Sequence, residues 1–260
     1  WTPREVFDCD KSLKKMTVNI EPYGWAPKGA SLLYNAMINP IAPYRIAGVI
    51  WYQGEANVSE EPSEYGHLFS TMILSWRKAF GTDLPFYYVQ IAPWNGYAGI
   101  KGALLREQQQ SALSLPHTGM VSVADLVKDV SNIHPKAKRE VVNRLANLVL
   151  KEQYGNKALQ PYFPRFLNCF FHKNQAILRF LSSGMLSSRG KEIKNFQVAG
   201  ADGKCFPAKA KIEKNGEVRL ASDMVTHPAM VRYCFRNDDI PNLFDVNGLP
   251  LLPFKTDSGS

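Results

Sequence analysis

Short apolar runs alternate with longer segments of helical spacing over the first 155 residues. The run at residues 46–50 is unbroken and holds three β-branched residues, which is typical of a strand buried on both faces. Within residues 64–80 the apolar residues recur every three or four positions, and Gly81 follows as a stop signal. The pattern predicts strands at about residues 45–52, 86–91 and 119–124, and helices at about residues 31–38, 64–80, 104–113 and 135–153. This alternation predicts an α/β domain with a parallel sheet between helices.

The two flanking parts of the chain differ from this α/β pattern. Residues 1–27 contain several prolines and glycines and are predicted to be irregular. After residue 155, short strand-like runs are separated by turn signals such as Asp202-Gly203 and Asn215-Gly216. These runs lie at residues 162–171, 176–181, 196–198, 208–212, 218–220 and 230–235. We therefore predict an α/β domain at residues 1–155 and a smaller antiparallel β module at residues 156–260.

Composition narrows the function classes. The net charge of +8 comes from 31 basic and 23 acidic residues, but the basic residues are scattered, so nucleic-acid binding is not expected. The chain has no run of roughly 18 apolar residues and does not begin like a signal peptide, so we predict neither a membrane span nor a targeting segment. The four cysteines, Cys9, Cys169, Cys205 and Cys234, are far apart, which favours buried free thiols over a zinc site.

The strand predicted at residues 45–52 runs directly into a polar loop. Gln53, Gly54 and Asn57 lie at its carboxyl end, where open α/β sheets place their ligands. A glycine lets substrate approach the backbone, and an amide N–H can stabilise a developing oxyanion. These three residues are therefore candidates for the oxyanion side of a catalytic site. Glu55 is interpreted either as a structural carboxylate that holds the loop or as an acid that meets the substrate.

His134 is the strongest candidate for a catalytic base. It follows a predicted strand and stands directly before the helix predicted at residues 135–153, on the kind of loop that carries catalytic side chains. An imidazole can take a proton from a nucleophile near neutral pH and return it to a leaving group. Asp129 and Asp125 precede His134 on the same connection, and either could orient its ring, with a backbone carbonyl as a third possibility. A polar surface or capping histidine is the alternative interpretation.

The residues alone reveal no convincing nucleophile. Ser31 precedes a predicted helix, but Leu33 stands where the G-x-S-x-G elbow requires its second glycine. Ser31 is therefore interpreted as a helix cap, with an esterase that uses Ser31 as an alternative. Ser59, Ser63 and Ser131 have no supporting context.

Several stretches of the chain together resemble the sialate O-acetylesterases of the SGNH (GDSL-like) hydrolase superfamily. The most specific are the sequence WYQGE at residues 51–55 and the sequence IHP at residues 133–135, which are specific in combination. Other matching stretches lie at residues 1–5, 33–40, 84–86 and 105–107 and within residues 242–257. They keep their order and span nearly the whole chain.

The resemblance implies an SGNH-type α/β fold and a Ser-His mechanism that hydrolyses acetyl esters on sugars, with 9-O-acetylated sialic acid as the first candidate substrate. It implies His134 as the base and residues 53–57 as part of the oxyanion environment. In the family, the nucleophilic serine lies shortly before the stretch that resembles the beginning of this chain. We therefore expect an N-terminal part of the same protein to supply it. No metal or organic cofactor is expected, and the implied location is secreted, periplasmic or lysosomal.

The resemblance leaves the orienting acid and the substrate contacts open. The superfamily aspartate three residues before the histidine is Ser131 here, so Asp129 is the preferred substitute, and a Ser-His pair without a carboxylate is the alternative. Glu55 and Arg106 are candidate substrate contacts, Arg106 for a sialate carboxylate, although an exposed helix arginine is the alternative. An acetylxylan or other polysaccharide esterase and a non-catalytic carbohydrate-binding protein are the competing functions.

Overall fold

A computed structural model gives the fold of residues 1–14, 29–59 and 62–256. The chain forms two compact units. The first unit consists of residues 1–90 and 104–120, and the second consists of residues 91–103 and 121–260. The two domains predicted at residues 1–155 and 156–260 stay a prediction.

The described residues contain both predicted kinds of element. The α-helices are α1 (Arg4–Cys9), α2 (Lys11–Lys14), α3 (Tyr65–Phe80), α4 (Lys101–Ser111) and α5 (Lys138–Glu152). The strands are β1 (Val49–Trp51), β2 (Phe86–Val89), β3 (Thr118–Val121), β4 (Arg165–His172), β5 (Gln175–Leu181), β6 (Phe196–Ala199), β7 (Cys205–Pro207), β8 (Lys209–Ile212), β9 (Val218–Ala221), β10 (Met230–Tyr233) and β11 (Phe254–Lys255).

Residues 4–9 and 11–14 are helical, which corrects the prediction of irregular structure there. Asp10 ends α1 and caps α2, because its Oδ1 accepts hydrogen bonds from the backbone N–H groups of Ser12 (2.8 Å) and Leu13 (3.2 Å). Phe7 and Leu13 are buried. Buried apolar contacts of this kind stabilise helices that are too short to form from sequence propensity alone. Residues 15–27 of the predicted irregular segment lie outside the described residues.

Helix α3 matches its prediction, whereas the segments predicted as helices at residues 31–38 and 135–153 differ in type or in starting residue. Helix α3 buries Phe69, Met72, Ile73 and Trp76, and it ends at Gly81 in the left-handed conformation (φ 66°). The segment predicted as a helix at residues 31–38 instead forms a π-helical turn, Tyr34–Ile38, followed by a 3₁₀ turn, Asn39–Ile41. Helix α5 begins at Lys138 rather than at residue 135 as predicted, so the loop before it is longer by three residues.

The parallel sheet has the strand order β1-β2-β3. Strand β1 pairs in parallel with β2, with Val49 opposite Phe86. All four residues of β2 are buried, as expected for a central parallel strand. Among the described residues β1 pairs with β2 alone, and its Ile50 side chain is 63% exposed. The prediction that this strand is buried on both faces is therefore wrong, because β1 lies at the sheet edge.

Two four-stranded sheets in the second unit confirm the predicted antiparallel β structure. Their strand orders are β11-β10-β6-β7 and β4-β5-β9-β8. The two predicted turns join neighbouring strands, β6 to β7 and β8 to β9. Strands β7 and β11 were not predicted, because they are only three and two residues long. All four cysteines are free as predicted, but only Cys234 is buried.

The α/β class with a parallel sheet and additional antiparallel β structure is confirmed. In the first unit an aromatic cluster holds the sheet against α3. The ring of Trp51 lies edge-on to Trp1 (5.4 Å between ring centroids) and to Trp76 (5.6 Å). The carboxyl end of β1 is therefore anchored on one face, although its other face is open.

We expect Trp51→Ala to lower the free energy of unfolding by about 3–5 kcal/mol, because it removes the indole ring that packs against Trp1 and Trp76 and leaves a cavity. The adjacent Ile50→Ala is the matched control and should cost less than about 1 kcal/mol, because Ile50 is already exposed to solvent. Urea unfolding of both variants measures the difference. Equal losses would contradict the one-sided burial of β1.

Candidate active site

His134 lies on the loop between a 3₁₀ turn, Ala124–Leu126, and helix α5, with its side chain exposed. Its backbone N–H donates to Asn132 Oδ1 (2.9 Å), while the imidazole makes no hydrogen bond with a described residue. The residue lines a cavity of about 640 Å³ together with Asp129, Asn132 and Lys136. Both ring nitrogens are therefore available to exchange a proton with a group bound in this cavity.

The Asp129 carboxylate lines the same cavity and is held by its own loop. Its Oδ1 accepts hydrogen bonds from the hydroxyl of Ser131 (2.6 Å) and from the backbone N–H of Ser131 (2.9 Å). These bonds, the hydroxyl first, lower the pKa of Asp129, so the group stays ionised at neutral pH. Its second oxygen accepts no hydrogen bond from a described residue. That oxygen is available to an imidazole N–H, and the pairing with His134 stays a prediction.

Asp125, the other candidate acid, is already paired. Its two carboxylate oxygens accept hydrogen bonds from the two terminal nitrogens of Arg144, both at 2.7 Å. Arg144 also donates to the carbonyl of Ser122 (2.7 Å), so the pair fastens the segment after β3 to helix α5. With both oxygens bound to Arg144 and the side chain only 10% exposed, Asp125 has little room for a second donor. Asp129 is therefore the better supported of the two acids.

Trp94 and Asn95 hold the loop that carries Asp129 and Ser131, although neither residue was predicted from the sequence. The indole N–H of Trp94 donates to the carbonyl of Ser131 (3.0 Å), and the backbone N–H of Asn95 donates to the carbonyl of Val130 (2.9 Å). The sequence did contain a signal for this loop: a proline, a tryptophan, an asparagine and a glycine follow one another shortly after β2. Such a segment at a strand end is typical of a site loop.

Asn237 in turn holds the segment that contains Trp94. Its side-chain amide donates to the carbonyls of Tyr97 (2.7 Å) and Gly99 (2.8 Å) and accepts from the N–H of Gly102 (2.9 Å), while its own carbonyl accepts from the N–H of Trp94 (2.9 Å). The side chain is buried. No local sequence signal identifies this role, since the partners are about 140 residues away in the chain.

The predicted oxyanion residues occupy one loop of the first unit. Gln53 donates from Nε2 to Oδ1 of Asn57 (2.9 Å), and the backbone N–H of Asn57 donates to the carbonyl of Gly54 (3.0 Å). The fully buried Gln109 amide lies 3.5 Å from the carbonyl of Gln53 and 3.4 Å from that of Val89, which ties the loop to the end of β2. The loop is therefore ordered, while its role as an oxyanion donor stays a prediction.

The two predicted substrate contacts have different surroundings. Glu55 begins the 3₁₀ turn Glu55–Ser59. Burial of Tyr52, and to a smaller extent the charge of Glu55, raises the pKa of Tyr52 to about 12. Arg106 on α4 is only 1% exposed, so the interpretation as an exposed helix arginine is wrong. Its backbone carbonyl accepts a hydrogen bond from the Gln90 amide (2.9 Å). Contact of either residue with substrate stays a prediction.

Ser31 is buried, and its Oγ forms no hydrogen bond with a described residue. Its interpretation as a side-chain cap is therefore wrong. The residue has a left-handed backbone (φ 68°), and only its carbonyl joins the helical pattern, by accepting from the N–H of Asn35 (2.9 Å). A hydroxyl that is closed off from solvent is poorly placed to attack a sugar ester.

The described residues contain no group of three or more histidine, cysteine or carboxylate side chains that could hold a metal ion. Their helices are likewise too short or too polar to cross a membrane.

Residues 18–151 match the family model described as a carbohydrate esterase, sialic acid-specific acetylesterase. The chain belongs to this family. It is 28% identical over 251 residues to the sialate O-acetylesterase of Homo sapiens, covering 85% of this chain and 48% of that protein. It is 30% identical over 152 residues to the sialate O-acetylesterase of Rattus norvegicus, covering 51% of this chain and 28% of that protein.

A carbohydrate acetylesterase from Xanthomonas citri has a similar solved structure. The TM-score is 0.83 at 38% sequence identity, and the match covers 89% of this chain and 55% of that one. The chain thus spans about half the length of the human and bacterial relatives it matches.

We expect Asn237→Ala to loosen the segment that supports the loop of Asp129 and Ser131. Losing buried hydrogen bonds of this kind costs about 1–3 kcal/mol, which corresponds to about 5- to 160-fold faster hydrogen exchange at the N–H groups of Gly102 and Asn95. Asn242→Ala is the control, because its side chain also bonds a backbone carbonyl, that of Glu192, in another segment. Unchanged protection of Asn95 in the Asn237 variant would contradict the proposed support.

Removing the Ser131 hydroxyl should raise the pKa of Asp129 toward the ordinary value of an aspartate, because the hydroxyl is the main cause of its lowering. A lowered carboxyl pKa stabilises the folded protein above the unfolded pKa, and this contribution is lost as the pH falls through the folded pKa. Ser131→Ala should therefore remove part of the acid dependence of stability. Carbon-13 NMR titration of the carboxyl group measures the shift, and Ser188→Ala, which changes a half-buried serine on another loop, should leave the titration unchanged.

Proposed function

We propose that this chain carries the general base and the oxyanion loop of an esterase that removes O-acetyl groups from sugars. The observation that carries the proposal is the His134 imidazole, which is unpaired among the described residues and lines a cavity beside the ionised Asp129. Membership of a carbohydrate esterase family supports the choice of acetyl ester and sugar.

In the proposed reaction, a serine hydroxyl attacks the carbonyl carbon of the acetyl ester while His134 takes the hydroxyl proton. The tetrahedral oxyanion then collapses, the proton passes from His134 to the departing sugar oxygen, and an acetyl-serine remains. Water, activated by His134 in the same way, releases acetate and restores the serine. Asp129 would stabilise the imidazolium through its second carboxylate oxygen, and the loop of Gln53, Gly54 and Asn57 would donate hydrogen bonds to the oxyanion.

We further propose that the nucleophilic serine comes from an N-terminal part of the same protein, outside residues 1–260. Ser31 is buried, and the Ser131 hydroxyl is used by Asp129, which supports a nucleophile from elsewhere. The part of the chain from residue 32 to β1 also suits an additional segment, because it exposes several large apolar side chains, namely Leu32, Met37, Ile41, Tyr44, Ile46 and Ile50. Such a concentration is typical of a surface covered by another part of a protein.

The proposed substrate is 9-O-acetylated sialic acid, supported by the description of the family model and by the names of the mammalian relatives. The bacterial relative is described more broadly as a carbohydrate acetylesterase, so an acetylated polysaccharide such as acetylxylan is the second candidate. Substrates of both kinds fit a secreted, periplasmic or lysosomal location.

We expect a protein that contains this chain and the upstream segment to release acetate from 9-O-acetylated sialic acid, and the 260-residue chain alone to lack this serine-dependent activity. In the active protein, His134→Ala should lower kcat by about 10²–10⁴-fold, because the base is lost. His117→Ala, another exposed histidine, is the matched control and should retain activity. Acetylxylan is assayed in parallel, and the ratio of kcat/KM values identifies the preferred sugar.

Full activity from the chain alone would contradict an external nucleophile but not the esterase function. Retention of activity by the His134 variant would contradict the base assignment. Saturable sugar binding without acetate release from either substrate, in the protein with its upstream segment, would identify the chain as part of a carbohydrate-binding protein instead.

A further inference from the structure

A second cleft lies at one end of the sheet β4-β5-β9-β8, where β5 finishes and the turn Asn215-Gly216 leads into β9. Its volume is about 480 Å³. Arg179, Ser182, Asn215 and Glu217 supply its polar lining, and Leu167, Phe180, Met185 and Leu186 supply its apolar lining. None of these residues lines the cavity of His134. The cleft is therefore independent of the candidate active site.

Arg179 and Glu217 form a prearranged pair of planar polar groups in this cleft. The Arg179 Nε donates to Oε1 of Glu217 (2.7 Å), and the guanidinium lies 5.0 Å from the centre of the Phe170 ring. Hydrogen bonds from Asn215 and then Arg179 lower the pKa of Glu217, which keeps it ionised. The terminal nitrogens of Arg179 make no hydrogen bond with a described residue. They can therefore donate to a ligand without breaking the pair.

Ser182 adds an unsatisfied polar atom to the lining. Its Oγ is buried and has no hydrogen-bond partner among the described residues. Buried hydroxyls are nearly always paired, so this one would gain a hydrogen bond if a rotation of the Ser182 side chain turned it toward a ligand hydroxyl in the cleft. In the same lining, the left-handed Gly216 (φ 84°) lies close to Met185, because a Cβ on this glycine would lie 3.6 Å from the Met185 side chain.

We propose that this cleft binds a neutral sugar unit of a glycan chain. A sugar ring offers adjacent hydroxyls that both donate and accept, which matches a guanidinium, a carboxylate, an amide and a hydroxyl, and its C–H face suits Phe180 and Met185. An acidic sugar is disfavoured, because Glu217 already neutralises Arg179. The cleft would hold the glycan in addition to, and apart from, any ester hydrolysis at His134.

Titration of the 260-residue chain with xylohexaose, cellohexaose and mannohexaose, followed by amide NMR, tests the proposal. At least one of these should produce saturable shifts at Ser182, Asn215 and Gly216. Arg179→Met should weaken that binding at least about tenfold, because it removes charged hydrogen bonds but keeps the apolar stem. Arg219→Met is the matched control, since Arg219 forms the same kind of pair with Glu213 (3.0 Å) outside the cleft, and it should keep the wild-type affinity.

A second pair of variants tests the neutral character of the ligand and replaces the first pair if Arg179→Met fails to fold. Glu217→Gln leaves Arg179 uncompensated, so it should increase the affinity for the acidic probe sialyllactose several fold, whereas Glu213→Gln should not. Any of four results would overturn the proposal: no saturable shift with a neutral oligosaccharide, shifts confined to residues around His134, equal effects of the matched variants, or a wild-type preference for sialyllactose.

Discussion

The loop that carries the candidate acid depends on the side chain of one buried asparagine. Asn237 satisfies three backbone groups of the segment from Tyr97 to Gly102 and receives a fourth hydrogen bond, from Trp94, on its own carbonyl. An amide with both a donor and an acceptor end can do this, and a hydrophobic residue of similar volume cannot. Because Trp94 and Asn95 then bond the carbonyls of Ser131 and Val130, the order of the loop before His134 is set by a residue from the far end of the chain.

The two carboxylates before His134 illustrate how pairing assigns different roles to identical groups. Asp125 gives both oxygens to Arg144 and becomes part of the framework, while Asp129 gives one oxygen to Ser131 and keeps the other unbonded among the described residues. Both are close to His134 in sequence, and sequence spacing alone did not rank them. The difference follows from the position of Arg144, which lies nearly two turns inside helix α5 and reaches back to the end of β3.

The two proposed sugar-binding features use different physical means. The cavity of His134 combines a titratable ring with an ionised carboxylate, which suits proton transfer. The cleft of Arg179 and Glu217 has its charges matched within 2.7 Å, which suits hydrogen bonding to neutral hydroxyls without a change of protonation. A chain with both features would bind a glycan at one site and hydrolyse one of its esters at the other.

The sequence by itself determined the elements whose residues interact locally. Helix α3 and the turns Asp202-Gly203 and Asn215-Gly216 follow from spacing, from a glycine stop and from turn chemistry, and the stretches around Gln53 and His134 were sufficient to indicate the family. Only the tertiary structure decided that β1 is an edge strand among the described residues, that Arg106 and Ser31 are buried, and that residues 4–9 and 11–14 are helical. The exposure of a side chain and its hydrogen-bond partners depend on segments that pack together from distant parts of the chain. Neither the hydrophobic periodicity nor the local secondary-structure propensity of a sequence determines them. The role of Asn237 is the clearest case, because its hydrogen-bond partners lie about 140 residues away in the chain and are brought to it only by the fold.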